Sequence, residues 1–419
     1  MDGSSKTESS AAATTTSSSI PEHGGGAHVF LVPLPVQGHM NPMLQFGHRL
    51  AYHGLRPTLV TTRYVLSKSP TAALPRSIHL RRFDDGGMAS CSDPVEYCRR
   101  LEAVGSETLA RVIETEARAG RTPAVMVYDP HMSWARRVAS AAGVPTAAFM
   151  SQPCVVDIIY GEVWARRVPV PMVDGSTLRR REVISVDLGV EDLPPFVVAP
   201  EKYPQYLKVS IMQFEGIEDA DDVFVNSFHH LEPLEAEYME ATWRAKTIGP
   251  TVPSFYLDDG HLPSNKTHGV SFFNSSEPAI EWLDKQAPCS VVLASYGTVY
   301  SLDANKLSED LRGKCKEKGL IVSWCPQLEA LAHNATDQPT TAKYVESAWG
   351  IGRRMQLDEK GFIRSEEVEK CIREVMGGER RGEYRENAAK WMEKAKEAMQ
   401  KGGSSDKNIA EFARKYLSV

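Results

Sequence analysis

From Ala27 onward, short apolar and β-branched runs alternate with stretches whose apolar residues recur at helical spacing, and this pattern restricts the fold more than any other feature. Runs at 28–35, 57–62, 78–83, 124–129, 145–150 and 222–228 read as strands, with helical stretches such as 95–117 between several of them. Continuous apolar strands that alternate with helices predict an α/β fold, a parallel sheet covered on both faces. The first strand is followed by a turn at 36–39 and by Asn41-Pro42, where Pro42 suits the first position of a helix because its missing N–H needs no partner there. Met43, Phe46 and Leu50 then continue at helical spacing.

A chain of 419 residues predicts two domains of comparable size. Residues 1–26 are mostly Ser, Thr, Ala and Gly and read as a disordered tail; 27–248 form a first domain, 249–264 a Pro/Gly/Asp-rich linker, and 265–419 a second domain. That second half reads differently from the first. It offers strands only at 290–296 and 320–324 and is nearly all helix afterwards. Ala388, Met392, Ala395 and Met399 form one apolar stripe, and Ser404-Ser405-Asp406 can cap a last helix that carries Ile409, Phe412 and Tyr416. Parallel neighbours need a crossover of at least ~10–12 residues, for which hardly any chain remains after Trp324. The second domain therefore reads as incomplete.

Composition narrows the function classes. A net charge of −6 argues against nucleic acid or an anionic membrane surface as partner, and no apolar run is long enough to span a bilayer. Seven scattered cysteines without CxxC or Cys/His spacing indicate neither a disulfide framework nor a metal site, which fits a reducing, cytoplasmic location. The tail lacks the apolar core of a secretory signal, and Asp2, Glu8, Glu22 and the absence of arginine speak against a transit peptide.

Two residues at predicted strand ends could carry chemistry. His39 lies at the turn after the first strand, and Asp129 closes the strand Val127-Tyr128-Asp129. Ligands of α/β sheets bind at such carboxyl ends. An imidazole there can accept a proton from a hydroxyl, and a carboxylate beside it fixes the tautomer. A lone histidine at a turn can equally be a cap or simply face solvent. A second group sits in the other half. Thr298, after Ser295-Tyr296-Gly297, could help a backbone turn approach a phosphate, and Trp324-Cys325-Pro326-Gln327 could stack on a base and bond a ribose; Trp324 could as well be a core residue. GxGxxG and GxxxxGK[ST] are both absent. Asp219-Ala220-Asp221 precedes its strand and reads as a solvated turn, while His131 and His229-His230 lack metal-ligand spacing.

At these residues the chain resembles the plant family 1 UDP-glycosyltransferases. The segment from Val32 to Pro42, the run from Asp222 to Phe228 with Leu231-Glu232, the stretch from Trp324 to His333, and Asp337-Gln338-Pro339 each look like a signature of that family. The resemblance implies a GT-B fold: two Rossmann-like, doubly wound domains facing a cleft, the first for acceptor and the second for donor. It implies an inverting, metal-independent transfer of glucose from UDP-glucose to a hydroxyl or carboxyl of a small metabolite. No cofactor beyond this co-substrate is implied, and a monomer is the default. His39 matches the general base and Asp129 its partner. Thr298 matches a phosphate contact, Trp324 a uracil stack, Cys325 a backbone contact and Gln327 a ribose contact, while Asp337 and Gln338 match the pair that grips the sugar.

The chain departs from the family pattern in one respect. His333-Asn334-Ala335-Thr336 runs straight into Asp337, so roughly thirty residues are missing by comparison, well beyond a loop-length change. A second gap of similar size falls near Leu302–Lys306. Both lie in the donor domain, which agrees with its shortage of strands. The expected activity is therefore impaired in the chain as written, and the alternative is a catalytically dead isoform or a faulty gene model whose acceptor domain at most binds small hydrophobic ligands. A nucleotide-dependent oxidoreductase on a similar sheet has only the fold class in its favour.

Overall fold

The computed structural model describes residues 26–68, 78–87, 94–257, 339–356 and 363–418, with single positions at 282, 285, 286, 291 and 358. The expected tail up to residue 25 and the two strands expected at 290–296 and 320–324 lie outside the described residues, apart from position 291.

The six strand-like runs of the first half all form strands, and a short seventh joins them. In chain order the elements are β1 (His28–Val32), α1 (Gln37–Tyr52), β2 (Arg56–Thr62), α2 (Arg63–Lys68), β3 (His79–Phe83), α3 (Pro94–Arg118), β4 (Val125–Tyr128), α4 (Ser133–Ala141), β5 (Thr146–Met150) and α5 (Cys154–Trp164). Three short helices follow, α6 (Ser176–Arg180), α7 (Pro195–Val198) and α8 (Pro204–Met212), and then β6 (Asp222–Val225), α9 (Pro233–Trp243) and β7 (Ala245–Thr247). The strands make one seven-stranded sheet in the order β3-β2-β1-β4-β5-β6-β7, every neighbouring pair parallel. β1, β4 and β5 are buried along their whole length, as a sheet covered on both faces requires. The strand order reverses between β1 and β4, and the crevice outside the carboxyl ends of those two strands is where such a sheet holds a ligand.

One local expectation fails. α1 begins at Gln37, not at Pro42, so Pro42 lies inside the helix. The Val36 carbonyl accepts both His39 N–H and Met40 N–H at 3.0 Å, which closes the first turn ahead of the proline. Pro42 then costs the helix only the single bond its N–H would have made to residue 38.

Beyond residue 338 the described chain is helical: α10 (Pro339–Ser347), α11 (Ser365–Gly377), α12 (Arg381–Met399) and α13 (Ser404–Leu417). α13 returns to the first-half sheet. Phe412 packs against Phe46 of α1 and Phe224 of β6, with ring centroids 6.1 and 5.0 Å apart. Ser405 Oγ donates to the Gly249 carbonyl at 2.7 Å, and Lys415 pairs with Asp222 at 2.7 Å. Ile409, Phe412 and Tyr416 are buried, as their spacing indicates. Of the stripe expected on α12, Met399 is buried and Ala388 and Ala395 are partly buried, but Met392 is half exposed; Tyr384 and Ala398 are buried as well, and the Trp391 indole donates to the Trp349 carbonyl at 2.9 Å. No helix among the described residues is long and apolar enough to cross a membrane.

Candidate active site

The switch point brings His39 and Asp129 together. Asp129 N–H donates to the Val32 carbonyl at 3.0 Å, extending the β1–β4 pairing by one residue and setting Asp129 beside the turn that leads into α1. Val36 N–H folds back onto the Leu34 carbonyl at 2.7 Å, and that tight turn leaves His39 in the first turn of the helix, over the end of β1. His39 Nδ1 then lies 2.7 Å from Asp129 Oδ2. Asp129 is buried, while the His39 side chain keeps 22% of its surface open. The dyad is thus held from inside the protein and reached from the crevice.

The second oxygen of Asp129 is occupied as well. Oδ1 accepts from the His131 backbone N–H and lies 3.0 Å from His131 Nδ1, across the single 3₁₀ turn Pro130–Met132. The two imidazoles stand edge to face with centroids 5.2 Å apart. Ser151, just after β5, places its hydroxyl 3.3 Å from His39 Nδ1. With Nδ1 turned to a carboxylate, the His39 proton resides there, and Nε2 is left with a free lone pair. Burial disfavours charge on His39, but the charge of Asp129 and its hydrogen bond outweigh burial and raise the imidazole pKa above its ordinary value. Burial alone would raise the Asp129 carboxyl, yet His39 and His131 hold it well below the usual carboxylate range. The pair is therefore a histidine made more basic by a carboxylate that stays ionised.

Behind the dyad, the amino end of α5 is pinned by Glu232, which accepts from Cys154 N–H at 3.1 Å, Val155 N–H at 3.0 Å and Ser227 Oγ at 2.6 Å. That contact fixes the segment carrying Ser151 and Gln152. Gln37 Oε1 and Gln152 Oε1, from the two turns that carry His39 and Ser151, are buried without a hydrogen-bond partner among the described residues. Asp157, one turn into α5, is fully buried and both of its oxygens lack a partner; burial first, then Glu232 and Asp129, pushes its carboxyl well up. Asp221 Oδ2 accepts from Thr146 N–H at 2.9 Å at the amino ends of β5 and β6, away from the dyad, so Asp219-Ala220-Asp221 is a structural turn. Thr298, Trp324, Cys325, Gln327, Asp337 and Gln338 lie outside the described residues.

Known proteins share the sequence and the fold of this chain. The chain is 54% identical to "UDP-glucosyltransferase UGT13248" of Hordeum vulgare subsp. vulgare, over 94% of this chain and 96% of that protein. It is 55% identical to "UDP-glycosyltransferase 79" of Oryza sativa subsp. japonica, over 93% of this chain and 97% of that protein. The chain belongs to the plant family 1 UDP-glycosyltransferases. No protein-family model matches it. Among solved structures, Os79 from O. sativa in complex with UDP matches with a TM-score of 0.88 and 55% identity, covering 93% of this chain and 100% of that one. The same rice protein in complex with U2F and trichothecene matches with a TM-score of 0.85 and 54% identity, over 93% and 100%. The architecture is accordingly the GT-B fold expected from the sequence.

In this UDP-glycosyltransferase two members of the constellation escaped the sequence reading. His131 was set aside because its neighbours in the chain offer no ligand spacing, yet the 3₁₀ turn after Asp129 swings it back onto that carboxylate. The Asp-Pro-His order was the available signal, since an Asp at such a cap accepts from the residue two positions on. Ser151 gave no signal; only the pairing of β4 with β5 brings it near His39.

Proposed function

We propose that this chain transfers glucose from UDP-glucose to a hydroxyl or carboxyl of a small plant metabolite, by an inverting displacement that needs no metal. The carrying observation is the 2.7 Å contact between His39 Nδ1 and the buried Asp129 carboxylate at the mouth of the crevice. Nε2 of His39 takes the acceptor proton as the acceptor oxygen attacks the anomeric carbon, and Asp129 stabilises the imidazolium that forms. For a carboxylate acceptor no proton need move, and the dyad then only orients the attack. Residues 27–248 serve the acceptor, 249–264 link the halves, and 265–419 serve the donor. Within the donor half, Thr298 contacts a phosphate, Trp324 and Cys325 hold uracil, Gln327 bonds the ribose, and Asp337 and Gln338 grip the sugar. The protein works as a cytoplasmic monomer. Its acceptor carries hydroxyls beside the reacting one, which satisfy the orphaned Gln37 Oε1 and Gln152 Oε1; an oxygenated terpenoid of the trichothecene kind is the first compound to try.

One observation favours a second reading, a chain that binds acceptors without turning them over. The alignment with the barley protein runs over 454 positions, whereas 94% of 419 residues is about 394, so about 60 positions have no counterpart in this chain. That total suits the two gaps of roughly thirty residues inferred in the donor half. By resemblance to the family, the stretch missing before Asp337 holds the His, the Trp-Asn-Ser group and the Glu that bind the diphosphate and ribose, and losing three charge-assisted hydrogen bonds with them would cost ~5–9 kcal/mol of donor affinity. The test is calorimetry with UDP, followed by an assay with UDP-glucose and the acceptor, the anomeric configuration of the product being read by NMR. Ordinary UDP affinity and a β-glucoside that His39→Ala abolishes support the transferase. Acceptor binding without UDP binding leaves only the second reading.

A further inference from the structure

We propose that His39, Asp129 and His131 together form a zinc site, and that an ion bound there silences the general base. The three side chains each bring one ligand atom, and these atoms all lie within 4.8 Å of one another. Two imidazoles and one carboxylate are a ligand set that Zn²⁺ takes in three-ligand sites, with water in the open fourth position. The approach needed is small. Ligand atoms at ~2.1 Å from one tetrahedral ion sit about 3.4 Å apart. Nδ1 of His39 and of His131 already flank the two carboxylate oxygens at 2.7 and 3.0 Å. Asp129 is 1% exposed and already turns one oxygen to each histidine, so the carboxylate is held in place before an ion arrives. The two histidine side chains keep 22% and 12% of their surface open, which leaves the ion a way in from the crevice.

Binding exchanges a proton for the ion at each Nδ1. A neutral imidazole moves that proton to Nε2, an imidazolium releases one proton to solvent, and no oxidation state changes. The move to Nε2 is the consequence that matters. The nitrogen required to accept the acceptor's proton becomes an N–H donor, so the ion removes the base as well as adding charge beside it. Binding itself stands independently of the transferase reading; the silencing rests on it. Zn²⁺ here is an inhibitory ligand and not a resident cofactor.

The test uses the untagged full chain and Co²⁺ as a spectroscopic stand-in for Zn²⁺. The expected result is one Co²⁺ per chain with the visible d–d absorption of a four-coordinate nitrogen/oxygen site, displaced by Zn²⁺. His131→Gln and Asp129→Asn each weaken that binding by more than about tenfold, because even outer-shell partners of metal sites contribute 10–100-fold. Circular dichroism of each variant checks that it is folded. A d–d band that His131→Gln leaves unchanged overturns the proposal, as does a thiolate-to-metal charge-transfer band, which would put the ion on a cysteine. Absence of any stoichiometric Co²⁺ binding to the wild-type chain overturns it outright. Where the chain is active, Zn²⁺ inhibits the wild type at the concentrations that displace Co²⁺ and inhibits His131→Gln at least tenfold less well.

Discussion

Asp129 does two jobs with one carboxylate: Oδ2 sets the tautomer of His39, and Oδ1 holds its own loop through His131. Replacing it by Asn keeps the shape and removes the charge. Asp129→Asn is therefore expected to lower kcat by roughly a hundredfold or more, because a neutral amide neither fixes the tautomer nor stabilises the imidazolium. The pH profile gives a sharper reading. The base must be neutral, so activity falls as pH drops through the His39 pKa, which Asp129 raises. With the carboxylate gone, burial alone remains and lowers that pKa, so the acid limb of kcat/KM in Asp129→Asn should move to lower pH. An acid limb that stays in place would assign it to another group. Asp157 supplies a prediction on stability. Its folded-state carboxyl is raised by burial, so the stabilisation of its protonated form is complete below the unfolded value of about 3.9 and declines as pH climbs toward the folded value. Asp157→Asn, which cannot ionise, should match the wild type in urea unfolding near the acid end and exceed it at pH 8. Equal stability at both ends would mean that Asp157 has a partner in solution.

Among the elements, α13 shows how a C-terminal helix can complete the core of an N-terminal sheet. Its first turn is tied down by Asp406 Oδ2, which accepts from Gly402 N–H at 2.7 Å, and its apolar face covers α1 and β6. Phe412 is 3% exposed and touches three aromatic rings, those of Phe46, Phe224 and Tyr416. Phe412→Ala should destabilise the first-half unit by ~3–5 kcal/mol, the usual cost of emptying an aromatic core site, as read by the urea midpoint. A shift under 1 kcal/mol would mean that the helix docks only loosely. The elements were legible in the sequence to the extent that burial was continuous. β1, β4 and β5 are buried at every position, and apart from His28 and Thr146 at their starts no charged or small polar residue interrupts them. Ile409, Phe412 and Tyr416 declared their face because polar residues occupy the rest of α13. The start of α1 was misread because a proline was given more weight than the carbonyl of Val36, which no sequence rule reports. On α12 the exposure of Met392 was not legible, and neither was the bond of the adjacent Trp391 indole to residue 349, far away in the chain.

Across the whole molecule, the sequence places His39 and Asp129 at the carboxyl ends of their strands, but the order β3-β2-β1-β4-β5-β6-β7, which makes β1 and β4 neighbours and sets the two residues side by side, is not legible in the order of the chain. His131 and Ser151 were not readable, since one depends on a 3₁₀ turn and the other on sheet pairing. What joins the halves was equally invisible in the sequence. α10 begins at Pro339, and it is docked on the first-half unit through Thr340 Oγ1, which donates to the Asp192 carbonyl at 2.6 Å. Tyr344 donates its hydroxyl to Glu235 Oε1 at 2.5 Å, where the Ser185 N–H also arrives, and the Trp349 indole donates to the Leu231 carbonyl at 3.0 Å. Tyr344 and Glu235 are both fully buried, so neither has water to fall back on. Tyr344→Phe should thus cost about 0.5–1.5 kcal/mol, the net worth of one hydrogen bond, since Glu235 Oε1 keeps the Ser185 N–H, and the loss should fall on the docking of 339–354 and not on the sheet. Hydrogen exchange resolves the two. Faster exchange confined to 339–354, with the β1 and β4 amides unchanged, means that this segment is held in place by the first-half unit. Uniformly faster exchange would make Tyr344 an ordinary core residue of one cooperative unit.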